Sequence, residues 1–342
     1  MNESDLSPVE QRLVRLMRID STTGNEGPLV DELGEILRAA GFTVAEQSVD
    51  GPRRNLLAAW GSPRVVLTTH LDTVPPFIAP RWDVEKIHGR GSCDAKGSMS
   101  AMIEAALRLK GEGHCDFGLL FVVGEETDSR GAKHFAKTPL SPDIRFLIDG
   151  EPTSNKLTRG HKGVFAFRLK RMGVPGHSAY PELFRSATHP LIADLGKLLT
   201  LQLPHDSIFG DTTVNVGKIS GGKAANIVAA EAEAEVIVRL AKPVAEVKPL
   251  VLAALDADTA VEVRSESNPA TMYVPDGFDS DIVRFGSDVP HLRPLAETLL
   301  VGPGSIHDAH TSHEFILKSD LLEAVDVYAG LVTSLLEAPP AA

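Results

Sequence analysis

The sequence predicts an α/β protein, with a mostly parallel, helix-covered sheet into which a second, α+β domain is inserted. Between residues 65 and 151, β-branched or aromatic runs alternate with stretches whose apolar residues recur at helical spacing, as in βαβ units. After about Gly160, the strand-like runs instead alternate apolar and polar residues, as half-buried antiparallel strands do. The change of pattern predicts two domains in 342 residues.

The first domain begins with two predicted helices. One starts at Ser7, with Pro8 in its first turn and Glu10 able to complete a capping box, and the other covers Pro28–Ala40. Strands and a helix then alternate: Val65–Thr69 (strand), Ser98–Lys110 (helix), Leu119–Val123 (strand) and the apolar run from Phe146 (strand).

The inserted domain has the element order β-α-β-β-α-β. Its predicted elements are Val164–Lys170, Ala187–Leu203 (helix), Thr212–Ile219, Ala232–Leu240, Pro249–Leu255 (helix) and Ala260–Arg264. This order is that of the ferredoxin-like split βαβ sandwich, with a four-stranded antiparallel sheet and two helices. A strand at Asp281–Phe285 and a closing helix at Leu321–Leu336 would complete the first domain. We therefore predict one discontinuous domain of residues 1–160 and 273–342 and an inserted domain of residues 161–272.

Composition excludes several classes of protein. The net charge of −12 argues against nucleic acid or an anionic membrane surface as a partner. With only Cys93 and Cys115, the chain has neither a disulfide framework nor a cysteine-rich zinc site. No secretory signal is visible at the N-terminus, and no run approaches the ~18–20 apolar residues of a membrane span. We therefore expect a soluble, cytoplasmic protein.

Acidic residues and histidines follow the apolar runs. In chain order they are His70, Asp72, Asp94, Glu125, Glu126, Glu151 and His310. Because ligands bind beyond the carboxyl ends of parallel strands, those that follow strands should meet at one edge of the sheet. Two imidazoles and at least three carboxylates cannot all stay charged and unpaired there. A pair of divalent metal ions is the simplest explanation.

Several of these residues have alternative interpretations when taken singly. The His70-x-Asp72 pair could be a capped strand end, or the start of the facial triad of a non-haem iron oxygenase. The helix-rich alternation disfavours the oxygenase, which needs an antiparallel jelly roll. Asp94 could be a helix N-cap, although Gly89, Gly91 and Gly97 around it suggest an unusual backbone path.

The remaining carboxylates are also ambiguous from the residues alone. Glu125 and Glu126 could lie in a solvated turn, but adjacent carboxylates after an apolar strand repel each other, which should raise the pKa of one of them. A metal would bind one carboxylate and leave the other as a general base. Of Asp149 and Glu151, either could be a ligand.

Seven segments resemble, in order, the dinuclear zinc aminoacylase and carboxypeptidase family. That family includes acetylornithine deacetylase, succinyl-diaminopimelate desuccinylase, aminoacylases and glutamate carboxypeptidases. The segments are HLDTVP, GRGSCDAKG, GEE, GEPT, GVPGHSAYPE, NVGKISGGKAANIV and GPGS…AHTSHEF. They span almost the whole chain, and as a set they are highly specific.

The resemblance implies a role for each candidate in the first domain. Five residues would bind two zinc ions: His70 and Glu151 at one, Glu126 and His310 at the other, and Asp94 as the bridge. Glu125 would be the general base, and Asp72 would orient His70. Cobalt or manganese would also suit these ligands.

In the inserted domain, the resemblance implies dimerisation and a lid over the substrate. His177 would stabilise the oxyanion in the active site of the partner subunit of a homodimer. Asn215, Gly222 and Arg239 would contact the substrate carboxylate and backbone. The chain departs from the family in the short stretch between Arg264 and Asp281 and at His313, where asparagine or aspartate is common.

The function implied is that of a zinc amidohydrolase that removes the acyl group from an N-acyl amino acid. An N-acetylornithine-like or N-succinyl-diaminopimelate-like substrate is favoured, as in amino-acid biosynthesis. One alternative is a zinc di- or carboxypeptidase acting on short peptides. Another is a non-hydrolytic metal-binding protein, against which Glu125 argues, because a pure binder needs no base.

Overall fold

The computed structural model describes residues 2–138 and 144–338, which form two compact units. The first unit comprises Met1–Arg159, Met272–Asp281 and Ser287–Ala342, and the second comprises Gly160–Thr271 and Ile282–Gly286. The sequence analysis places residues 282–286 in the first domain, whereas in the structure they belong to the second unit. The composition of this short segment does not indicate which sheet it joins.

The helices are α1 Pro8–Met17, α2 Gly27–Ala39, α3 Lys96–Gly111, α4 Arg130–Phe135, α5 Thr188–Thr200, α6 Val244–Ala253, α7 Val289–Leu292 and α8 Lys318–Glu337. The strands are β1 Thr43–Asp50, β2 Arg53–Trp60, β3 Val65–His70, β4 Arg81–Trp82, β5 Lys86–His88, β6 Phe117–Val122, β7 Phe146–Asp149, β8 Leu157–His161, β9 Gly163–Met172, β10 His205–Asp206, β11 Gly210–Asp211, β12 Thr213–Gly221, β13 Glu231–Leu240, β14 Ala260–Ser267, β15 Ala270–Thr271, β16 Ser280–Val283, β17 Glu297–Leu300 and β18 Phe315–Leu317.

The main sheet of the first unit has the order β1-β2-β6-β3-β7-β17. Strands β6, β3, β7 and β17 are parallel, while β2 pairs antiparallel with both β6 and β1. The predicted mostly parallel sheet is therefore confirmed. The sequence interpretation missed the β1–β2 hairpin at its edge, whose strands lie outside the βαβ alternation.

Helices cover both faces of this sheet, so every residue of β3, β6 and β7 is buried. One core joins the sheet to α1, α2, α3 and α8, and a smaller one joins its other face to α4 and α7. Strands buried on both faces need apolar residues at successive positions, which explains their continuous hydrophobic runs.

The predicted start of the first helix is confirmed. Pro8 opens α1, and the Glu10 carboxylate accepts the backbone N–H of Ser7 at 2.7 Å. This bond provides an acceptor for a backbone donor at the helix N-terminus.

The second unit has the predicted split βαβ arrangement. Its sheet has the order β12-β13-β9-β14 with antiparallel pairing throughout, and α5 and α6 pack against one face. The predicted start of the second helix of this unit, at Pro249, was wrong. Helix α6 begins at Val244 and contains Pro249 in its interior. The sequence interpretation had given this proline its usual place in the first turn.

No helix among residues 2–138 and 144–338 is both long and apolar enough to cross a membrane.

Candidate metal centre and active site

Three adjacent parallel strands of the first unit end at the same edge of the sheet. His70 is the last residue of β3, Glu125 and Glu126 follow β6, and Glu151 follows β7 by two residues. Since β3 lies between β6 and β7, the side chains at these three strand ends converge, as the sequence predicts.

His70, Asp94 and Glu151 form one buried group of possible metal ligands. One ligand atom from each lies within 4.8 Å of the others. The Nε2 atom of His70 is 2.9 Å from Asp94 Oδ1 and 3.9 Å from Glu151 Oε1. Among the described residues, Glu151 Oε1 has no hydrogen-bond partner, although it is buried. A buried carboxylate oxygen without a donor is well explained by a cation.

Asp94, Glu126 and His310 form a second such group. His310 Nε2 lies 3.1 Å from Asp94 Oδ2 and 3.0 Å from Glu126 Oε2. Asp94 therefore presents one oxygen to each group. A carboxylate that bridged two metal ions would have to present its oxygens in this way.

The charges within the two groups are strongly coupled. Burial alone would raise the pKa of Asp94, but hydrogen bonds with His310 and His70 lower it below its ordinary value. The same contacts to Asp94 and Glu126 raise the pKa of His310 to about 10, whereas burial, above all, raises that of Glu151 well above its usual range. A divalent ion bound here would compete with protons for these ligand atoms. This mixed imidazole and carboxylate set suits zinc, manganese or cobalt.

Asp72 binds the turn that carries Glu125. It is fully buried, and its Oδ1 accepts the backbone N–H groups of Gly124 and Glu125 at 2.9 and 3.1 Å. Its Oδ2 accepts the N–H of Glu126 at 3.3 Å and the hydroxyl of Thr23 at 2.8 Å.

His70 is oriented mainly by the main chain of Asp72. Its Nδ1 is 2.9 Å from the Asp72 carbonyl oxygen and 3.6 Å from the carboxylate. The predicted orienting role therefore falls largely to a backbone atom, whereas the Asp72 carboxylate positions the adjacent turn.

Glu125 belongs to neither ligand group, although it directly precedes Glu126. Burial raises the pKa of Glu125 well above its usual range. The charges of Asp288, Glu126 and Asp94 act in the same direction, and that of His70 opposes them. A carboxylate with a raised pKa is a stronger base, which suits a group that accepts and returns a proton.

Sequence reasoning missed three residues around this centre. Asp288 is buried near Glu125, but in Ser287-Asp288 before a short helix it looks like an ordinary cap. Arg90 and Glu314 form a buried ion pair at 2.5 Å. Both lie in the quoted segments GRGSCDAKG and AHTSHEF, but nothing local distinguishes them from solvated charges.

His177 lies in the second unit, on an exposed loop after β9. Its Nδ1 accepts the backbone N–H of Ala179 at 3.1 Å, which places the proton of the neutral ring on Nε2. The segment is fixed by a bridge between His177 and Ile227. This ring can therefore donate from Nε2.

Asn215 and Arg239 lie on the sheet face away from α5 and α6. Arg239 of β13 is opposite Thr213 of β12, and Asn215 of β12 is opposite Ile237, which puts all four on one face. The neighbouring residues Val214, Val216, Val236 and Val238 pack into the core with the helices. Gly222 follows β12 in the left-handed region, at φ +72°.

The charges of Arg239 and Arg284 each act on a neighbouring group of the second unit. Its charge contributes to the low pKa of buried His161, and that of Arg284 to the lowered pKa of Lys162, although burial is the largest cause in both. Arg239 Nη1 also lies 4.0 Å from the position of a Cβ built on Gly286, two residues beyond Arg284.

Comparison with known proteins gives a consistent result. The sequence profile of peptidase family M20/M25/M40 matches residues 66–334. A peptidase M20 domain-containing protein from Schizosaccharomyces pombe is 39% identical over 97% of this chain and 87% of the relative. A probable carboxypeptidase from Aspergillus flavus is 38% identical over 94% of this chain and 86% of the relative.

Solved structures share the fold. An M20 family metallo-carboxypeptidase from Sulfolobus solfataricus has a TM-score of 0.79 at 14% identity, covering 96% of this chain and 99% of its own. A di-peptidase from Saccharomyces cerevisiae has a TM-score of 0.78 at 15% identity, covering 98% of each chain.

Proposed function

Since this chain belongs to peptidase family M20/M25/M40, we propose that it is a two-metal carboxypeptidase or dipeptidase that releases the C-terminal amino acid of a short peptide. The observation that carries the proposal is the pair of ligand groups that share Asp94, with Glu125 beside them and in neither. A centre that only binds metal has no use for that extra carboxylate.

The peptidase alternative is better supported than removal of an acetyl or succinyl group. A relative 38% identical over most of the chain is named a probable carboxypeptidase. Both activities break an amide bond next to an amino acid that carries a free carboxylate. The difference therefore lies on the acyl side of the bond, and we keep deacylation as the second candidate.

Two zinc ions, or cobalt or manganese, would be bound by His70, Asp94, Glu126, Glu151 and His310. When bound, such ions polarise the scissile carbonyl and lower the pKa of the attacking water. Glu125 takes a proton from that water and returns it to the departing amine. Asp72 fixes the position of Glu125 through the backbone of its turn.

We propose that the second unit contributes to substrate recognition through its cations. Arg239 suits the C-terminal carboxylate, because an arginine can bind a carboxylate with two parallel hydrogen bonds. Asn215 lies on the same sheet face and Gly222 at its edge. The matched probe is a peptide and its C-terminal amide, which differ only in this charge.

His177 is proposed to act on the substrate of a partner subunit, with its Nε2–H donating to the oxyanion. The surface available for pairing is the edge strand β12 with helix α5, where Ile192 and Leu199 are 62% and 60% exposed. A two-fold pair would cover these side chains by placing the same surface of two copies together.

The test combines variants with a substrate panel. Glu125→Gln should keep both metals and lose about 10²–10⁴-fold in kcat, whereas the matched variant Glu126→Gln should lose metal. Wild-type protein should cleave the peptide faster than its amide and faster than the N-acetyl and N-succinyl derivatives of the same terminal residue. Preference for an acyl derivative would select deacylation, and loss of metal from Glu125→Gln alone would exchange the roles of the two glutamates.

A further inference from the structure

We propose that Glu314 is a positioning residue for the metal centre. Its carboxylate accepts the backbone N–H groups of the loop that carries Asp94, and through that loop it sets the affinity for both ions. This inference rests on the metal centre of the proposed function, although Glu314 belongs to neither ligand group.

The carboxylate of Glu314 is buried, and both of its oxygens have hydrogen-bond or ion-pair partners. Its Oε1 accepts the N–H groups of Cys93 and Asp94 at 3.2 and 3.3 Å, and its Oε2 lies 2.5 Å from Nη1 of Arg90. Glu314 and Arg90 are 1% and 2% exposed, so neither charge is solvated. The main-chain oxygen of Glu314 also accepts the N–H of Gly89 at 2.9 Å. Glu314 therefore contacts both ends of the loop of residues 89–94, with its main chain at Gly89 and its side chain at Asp94.

The loop has little room to move. A Cβ built on Gly97 would lie 2.4 Å from the carbonyl oxygen of Ser92, and one built on Gly304 would lie 2.6 Å from the Cβ of Cys93. The N–H groups of Cys93 and Asp94 face this packed interior and need an internal acceptor. Glu314 supplies it, and Arg90 offsets the charge that this acceptor brings.

Glu314 also connects the two halves of the metal centre. It lies four residues after His310, and its side chain binds the backbone of Asp94. The Asp94 carboxylate in turn lies 2.9 Å from His70 and 3.1 Å from His310. Because both ligand groups include Asp94, a shift of this loop should weaken both sites together rather than one.

The experiment measures Zn²⁺ affinity of chelator-stripped protein by competition with a chromophoric chelator. In Glu314→Gln, the single amide oxygen cannot face both Arg90 and the loop N–H groups. Glu314→Asp keeps the charge but shortens the side chain by one methylene. We expect both variants to bind both ions roughly 10–100-fold more weakly, as is typical when partners of metal ligands are removed.

The matched control is Glu104→Gln, which breaks the 2.6 Å ion pair between Arg12 of α1 and Glu104 of α3 without touching a ligand group. Its Zn²⁺ affinity should equal that of wild type. Thermal melting of each metal-free protein separates folding from binding. A merely structural role would lower the melting temperature while leaving the Zn²⁺ affinity of the folded protein unchanged.

Each outcome decides the proposal. Wild-type affinity in a folded Glu314→Gln or Glu314→Asp protein overturns it, as does weakening of one site alone. If Glu314→Gln does not fold, Glu314→Asp decides, and failure of both to fold means that Glu314 is structural. Wild-type protein that binds no Zn²⁺ would instead refute the proposed function itself.

Discussion

Replacing Asp72 by asparagine tests how the position of the general base is set. The Asp72 carboxylate accepts three backbone N–H groups and the hydroxyl of Thr23, and it is fully buried. An asparagine can keep its amide oxygen on Gly124 and Glu125. Its amide nitrogen then faces the N–H of Glu126, which loses its acceptor.

The expected cost follows from these contacts. A hydrogen bond to a charged group contributes about 1.5–3 kcal/mol. Asp72→Asn loses one such bond and weakens two others, so we expect the free energy of unfolding to fall by about 2–4 kcal/mol. The turn should also shift Glu125, and a displacement of about 1 Å can reduce the rate roughly 10²-fold.

The assay is denaturant unfolding together with kcat and zinc content. The matched control is Asp194→Asn in the second unit, where a buried aspartate accepts the Thr259 hydroxyl at 2.5 Å and the N–H of Asp256 at 3.1 Å. The control should lose stability but keep its zinc. A kcat for Asp72→Asn within threefold of wild type would refute the argument that its carboxylate positions Glu125.

Three other predictions concern the bridge, the subunit pairing and a buried histidine. Asp94→Ala should lower occupancy at both metal sites, as elemental analysis would detect, because the two ligand groups share this residue. Chains carrying His177→Ala and Glu125→Gln should each be nearly inactive, yet a mixture that exchanges subunits should recover activity, since one site of the heterodimer has both residues intact. Burial first, and the charge of Arg239 second, lower the pKa of His161 to about 4, below its unfolded value of about 6.5. Between these two pKa values the unfolded state binds a proton that the folded state does not. The contribution of neutral His161 to the free energy of unfolding is therefore fully present above about pH 6.5. It should fall by about 3 kcal/mol towards pH 4, a loss that unfolding measurements on His161→Gln should not show.

Each of these has a clear contrary result. Full binding of two metals by Asp94→Ala would exclude a bridge. Failure of complementation, with subunit exchange verified separately, would mean that His177 acts in its own chain or not at all. The same pH dependence in wild type and His161→Gln would show that other groups cause the acid loss of stability.

Much of the fold and the site could be predicted from local patterns. Strands β3, β6 and β7 are buried on both faces, so most of their residues are apolar, and the candidate site residues lie at their carboxyl ends or within a few residues of them. The hairpin β1–β2 was missed because its two partly buried strands lie outside the βαβ alternation. The start of α6 was wrong because a proline inside a helix resembles one at its beginning.

The roles of individual carboxylates depend on contacts that sequence does not specify. In sequence, Asp72 and Glu314 are acidic residues close to a histidine, and nothing local gives the contacts of their carboxylates. In the structure, their oxygens meet backbone N–H groups, whereas Asp94 and Glu126 meet imidazoles. A carboxylate already surrounded by N–H donors is satisfied without a cation. One that faces only imidazole nitrogens and other carboxylates requires protons or metal ions. The donors nearest each oxygen therefore separate the proposed metal ligands from the carboxylates that contact the backbone of the loops around them.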